Sequence, residues 1–160
     1  MTNYTSKGHK ILQIKSGFTL IEMLVVISLI GILAALALVS FSSVQKQARD
    51  TTRKSDLKQY QTAAESYASK NNGLYPNYTV VTTIPSSGGV CTDFSIGTCQ
   101  LDPKNAAPYL YRYITDAGRI NYVIWAGLEK NTTTTYWVVC SNGKNGEMAA
   151  APTTAVCPLP

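Results

Sequence analysis

The chain has 160 residues, enough for one ordinary domain with extensions, and a formal net charge of +5. The excess is local: Lys7, Lys10 and Lys15 precede the first acid, and from residue 18 onward 11 basic residues face 9 acidic ones. That balance is no footprint for nucleic acid, and no nucleic-acid partner is expected. The only histidine is His9, and Cys91, Cys99, Cys140 and Cys157 lack C-x-x-C spacing, so neither a metal centre nor a catalytic constellation is expected.

In chain order, a basic leader (1–17) comes first. Phe18 to Val39 then reads FTLIEMLVVISLIGILAALALV, long enough to cross the hydrocarbon of a bilayer at 1.5 Å rise per residue. Glu22 sits about one turn inside it, and a carboxylate at that depth needs a partner. Two plainer readings compete with a retained membrane helix. One is a secretory signal peptide, cut after an A-x-A-like site at Ala35-Leu36-Ala37. The other is a simple anchor whose Glu22 reaches back to the interface. Topology is ambiguous from charge, since Lys46, Arg49, Arg53, Lys54 and Lys58 follow the span closely.

No Gly or Pro occurs between Gly31 and Gly73. Leu57, Tyr60, Ala64 and Tyr67 recur at helical spacing and give one apolar stripe over residues 40–72. Asn71-Asn72-Gly73, followed by Pro76, ends the pattern with a C-cap signal. One helix from about Phe18 to Asn71 is therefore predicted, and its first half must be covered by lipid or by other copies.

These residues carry a resemblance. Lys15-Ser16-Gly17-Phe18-Thr19-Leu20-Ile21-Glu22 resembles the class III signal of type IV pilins and type II secretion pseudopilins, and Leu74-Tyr75-Pro76 after the helix extends the match. The resemblance implies cleavage by a prepilin peptidase between Gly17 and Phe18, followed by N-methylation of Phe18. It implies that Glu22 then neutralises the N-terminal amine of a neighbouring subunit. It further implies a homopolymer built through the N-terminal helices, an inner-membrane platform with an assembly ATPase, and a single-pass membrane precursor with an external C-terminal domain. Many relatives carry a proline where this chain has Val39, so a straighter membrane helix is expected.

Residues 73–160 read as β-rich. Tyr109–Ile114 and Ile120–Trp125 flank a Thr115–Arg119 turn in which Gly118 suits a positive φ, Thr133–Cys140 makes a third strand, and Thr79–Ile84 a short fourth. The fold class expected is α+β: a long N-terminal helix, transmembrane and then amphipathic, packed on a small antiparallel sheet. An even cysteine count beyond a membrane span points to two disulfides outside the cytoplasm, against four reduced thiols. Three connectivities are open, of which Cys91–Cys99 with Cys140–Cys157 closes two local loops.

Leu101-Asp102-Pro103 and Pro108-Tyr109-Leu110-Tyr111 resemble a D-P…P-Y-x-Y segment of the major pseudopilins, a subgroup in which a later loop binds calcium. The corresponding Ser141–Glu147 loop offers one carboxylate and a lysine, so a tight turn is the better reading and calcium the alternative; no other cofactor is expected. The function expected is a structural subunit of a type IV pilus-like filament. The alternatives are a major pseudopilin of a type II secretion system and a minor pilin for adhesion or DNA uptake. A membrane-anchored enzyme is disfavoured.

Overall fold

The computed structural model describes residues 17–130 and 133–160, with side chains for all of them except 37–40. The basic leader before Gly17 and the Asn131-Thr132 pair lie outside the described residues. The chain divides into two units, residues 1–40 and 41–160.

Helix α1 runs Leu20–Lys70, 51 residues assigned without a break at Gly31. In the first unit its residues up to 36 are exposed, Phe18 and Leu20 each to 81%. In the second unit the buried positions of α1 are Asp50, Arg53, Leu57, Tyr60, Ala64 and Ala68, with Asp56 and Gln61 beside them. The i, i+3, i+4 rhythm read from the apolar residues thus continues into charged ones. Tyr67 is only half-buried, and Ala68 takes the core position at that turn. The helix ends as its C-cap residues require: Asn72 is left-handed at φ 55, and the Gly73 N–H reaches back to the Ala68 carbonyl at 2.8 Å.

The remaining elements are β1 (Thr82–Thr83), α2 (Gly89–Asp93), β2 (Arg112–Thr115), β3 (Tyr122–Leu128), β4 (Thr135–Cys140) and β5 (Asn145–Met148). The strands form one antiparallel sheet in chain order, β1-β2-β3-β4-β5. The expected three-strand meander and short edge strand are present; β1, β2 and β4 are shorter than expected, while β3 is shifted toward the C-terminus and ends at Leu128 rather than Trp125. Strand β5 replaces part of the expected loop, because the turn closes early: Cys140 N–H donates to the Lys144 carbonyl at 2.9 Å. The positive φ expected at Gly118 falls on Arg119 instead, at 60°. Asp116 decides this by accepting the Ile120 and Asn121 N–H groups, while Arg119 Nε donates to the Tyr75 carbonyl at 2.7 Å.

Both faces of the sheet are covered, and every residue of β3 is buried. Tyr113, Tyr122, Ile124, Ala126 and Val139 pack toward Leu57, Tyr60, Ala64 and Ala68 of α1. Ile114, Val123, Trp125, Val138 and Cys140 face the other way, under Ala155, Cys157 and Leu159. Disulfides join Cys91 to Cys99 and Cys140 to Cys157, with Cα–Cα separations of 5.7 and 5.6 Å. The second ties the C-terminal segment to the sheet it covers.

Candidate functional site: the N-terminal helix and a buried charge cluster

The Gly17–Phe18 peptide bond lies before the first helical residue, in exposed non-helical backbone. A Cβ at Gly17 would touch nothing within 4 Å. Thr19 and Glu22 close the helix start as a capping box: the Thr19 N–H and Oγ1 each donate to Glu22 Oε2 at 2.7 Å, and the Glu22 N–H donates to Thr19 Oγ1 at 3.2 Å. Ser28 Oγ donates to the Val25 carbonyl at 2.8 Å. Thr19, Glu22 and Ser28 are thus satisfied within their own helix, which is what hydrocarbon demands of polar groups. The surface left over is apolar. Leu24, Ile27, Ile30, Leu33 and Leu36 are all more than half exposed. Favourable insertion of about 0.3–0.6 kcal/mol per large aliphatic residue, summed along such a segment, outweighs a single carboxylate.

The second unit holds a charge cluster that the sequence reading did not single out. Arg53 is fully buried. Its Nη1 lies 2.7 Å from Asp50 Oδ1, its Nε donates to Asp102 Oδ2, and its Nη2 lies 2.7 Å from Glu129 Oε1 as an ion pair. Glu129 also takes Arg49 and Lys104, each at 2.7 Å. Asp50 accepts the Glu129 and Lys130 backbone N–H groups, and Asp102 accepts those of Lys104 and Asn105. The Tyr109 ring lies 4.5 Å from the Arg53 guanidinium carbon. Three cations and three anions therefore neutralise each other while tying α1 to the 101–105 loop and the end of β3. Hydrogen bonds from Arg49, opposed by burial and then aided by Lys104 and Arg53, hold the Glu129 carboxyl well below the usual carboxylate range.

Tyrosine hydroxyls continue the attachment along α1. Tyr111 donates to Asp56 at 2.6 Å, and Tyr75 and Tyr122 both donate to Glu65 at 2.9 Å. Burial, then Glu65, pushes the Tyr75 hydroxyl up to about 12. The D-P…P-Y-x-Y residues are thereby placed: Asp102, Tyr109 and Tyr111 all meet α1, through Arg53 and Asp56. The signal that could have found the cluster was Asp50 and Arg53 at i, i+3, in phase with the apolar stripe.

In the Ser141–Glu147 region the carboxylate of Glu147 is 2.9 Å from Lys54 Nζ, and Asn142 Oδ1 accepts the Lys144 N–H at 3.0 Å. Among the described residues no group of three or more His, Cys, Asp or Glu side chains is placed to hold a metal ion.

A family model, the prokaryotic N-terminal methylation motif, matches residues 13–38. The chain is similar to the type IV major pilin protein PilA of Myxococcus xanthus, 33% identical over 94 residues, covering 57% of this chain and 42% of that one. It is also similar to the type II secretion system core protein G of Pseudomonas aeruginosa, 43% identical over 63 residues, covering 39% of this chain and 44% of that one. The matches thus span less than half the length of these relatives. No solved structure matches at a comparable level. The chain thus carries the N-terminal methylation motif and is similar, over part of its length, to a type IV major pilin and a type II secretion core protein.

Proposed function

We propose that this chain is a structural, non-enzymatic subunit of a type IV pilus-like filament. A prepilin peptidase cuts between Gly17 and Phe18, and Phe18 is methylated. The helix from Phe18 holds the precursor in the cytoplasmic membrane, with the sheet domain outside. An inner-membrane platform and its ATPase then move subunits into a homopolymer. The observation that carries this reading is the exposed apolar surface of residues 18–36, which none of the described residues of its own unit covers.

Glu22 supplies the register. Before cleavage it is held by Thr19. Cleavage creates an ammonium at Phe18, with an ordinary pKa near 8. In a helix-packed core an unpaired charge costs several kcal/mol, and pairing one chain's Phe18 ammonium with a neighbour's Glu22 removes much of that cost. A chain placed out of register loses the pair. The test is N-terminal sequencing of mature protein together with assembly of Glu22→Ala. Methylated Phe18, with a cleaved but unassembled variant, is the expected result. A mature N-terminus at Leu38, or normal filaments from the variant, would overturn the reading.

A second reading, the major pseudopilin of a secretion system, draws on the docking of Asp102, Tyr109 and Tyr111 against α1, since these residues form the pseudopilin-like segment. Abundant subunit in sheared surface filaments favours the pilus. Its absence there, with failed export of secreted enzymes on deletion, favours the pseudopilus.

A further inference from the structure

A groove of about 410 Å³ opens on the sheet face turned away from α1. Arg112, Trp125 and Tyr136 line it from three neighbouring strands, with Arg112 directly opposite Trp125 in register, and Pro108, Pro152 and Thr153 are among the residues of its other walls. The volume lies in the range of small-ligand sites, which combine apolar lining with a few convergent polar groups.

The polar groups here are unspent. The Arg112 guanidinium, the Trp125 indole N–H, the Tyr136 hydroxyl and the Thr153 hydroxyl have no side-chain hydrogen-bond or ionic partner among the described residues. Trp125 is only 3% exposed as a whole residue, but its indole N–H is not among the described side-chain groups that are sealed from solvent without a partner, so it stays accessible. By contrast all nine carboxylates of the chain are engaged, from Glu22 with Thr19 to Glu147 with Lys54. The anion that would suit Arg112 is therefore one the chain does not hold in reserve.

The backbone decides between ligand classes. A peptide binds a sheet most readily by adding a strand to a free edge. Trp125 and Tyr136 stand on β3 and β4, which are paired on both sides, and Arg112 pairs with both Thr83 and Trp125. Only side-chain donors and aromatic and proline faces remain, a set that fits a ligand rich in acceptors with a cyclic body.

We propose that this groove binds a carboxylated saccharide. Arg112 takes the carboxylate, and Trp125, Tyr136 and Thr153 address the ring oxygens. The proposal does not depend on which filament the subunit builds.

The test is calorimetric titration of the full chain in detergent micelles with an oligogalacturonate, a neutral galactose oligomer of the same length and an oligoglutamate peptide. Saturable, salt-sensitive binding of the oligogalacturonate is expected, with the neutral oligomer weaker by at least about tenfold, as loss of a charge-assisted contact predicts. Arg112→Gln should weaken the acidic sugar by about tenfold or more, and Arg112→Lys by less. Tyr136→Phe, which removes one hydroxyl and leaves the packing intact, should also weaken it. No oligogalacturonate binding at about 10 mM, unchanged affinity in folded Arg112→Gln and Tyr136→Phe, or preference for the peptide would each overturn the proposal.

Discussion

Arg53 and Asp102 stand 49 residues apart in the chain, yet the guanidinium Nε donates to the Asp102 carboxylate with both side chains wholly out of solvent. This pair fixes where the 101–105 loop meets α1. Asp102 in turn organises that loop by accepting the Lys104 and Asn105 N–H groups.

Removing the cation should be expensive. Arg53→Met leaves Asp102, Asp50 and Glu129 buried without their shared counter-ion, and breaking such a pair costs about 3–5 kcal/mol. Urea unfolding of the full chain in detergent should show a much lower midpoint. A midpoint within error of wild type would mean that the cluster contributes nothing.

Acid should loosen the same region. The folded Glu129 carboxyl lies below its ordinary value of 4.5. The unfolded state therefore binds the proton more readily, and stability falls as pH drops. The Glu129 contribution is present above about pH 4.5 and is lost below it. Glu129→Gln should be less stable at neutral pH but flatter on the acid limb. An unchanged acid slope in that variant would assign the loss to other carboxylates.

Gly127 faces a backbone rather than open space. A Cβ there would lie 2.8 Å from the Pro108 carbonyl oxygen, which also accepts the Gly127 N–H at 3.2 Å. Gly127→Ala should therefore cost about 1–3 kcal/mol by overpacking. Gly118→Ala is the control, because its Cβ would find Ile120 at an ordinary 3.7 Å. Thermal midpoints of the two variants should separate clearly, and equal midpoints would contradict the close approach.

The Cys140–Cys157 bond spans 17 residues. A loop of that length gives about 3 kcal/mol in the chain-entropy account. Cys140→Ser with Cys157→Ser should lose roughly this much, and it should also free the segment over Val123, Trp125 and Val138. Dye binding to exposed apolar surface would report the uncovering. Full stability with no added dye binding would show that the segment holds without its tether.

The N-terminal features were legible because they are local. A contiguous apolar run with one carboxylate a turn inside it and an Asn-Asn-Gly stop act through neighbours along one helix. The same locality made the apolar stripe of α1 readable as far as Leu57. It failed at Arg53 and Asp50, where the stripe turns charged and makes sense only beside Asp102 and Glu129 from distant segments.

Strand β5 shows the limit from another side. Asn145-Gly146-Glu147-Met148 has little intrinsic strand preference and an exposed, half-buried alternation. It is a strand because β4 offers it a ladder from Tyr136 to Val139. The second covered face of the sheet was hidden for the same reason: nothing in the Ala-, Thr- and Pro-rich end of the chain announces that it lies over Trp125.

By itself the sequence determined the long helix, its membrane-competent half and the class of sheet domain. Short-range periodicity and capping suffice for those. The tertiary structure alone decided that a buried arginine seats the sheet on the helix and that Arg112 is left without an anion. Each depends on which groups folding brings together in a low-dielectric interior or leaves apart, and spacing along the chain does not encode that.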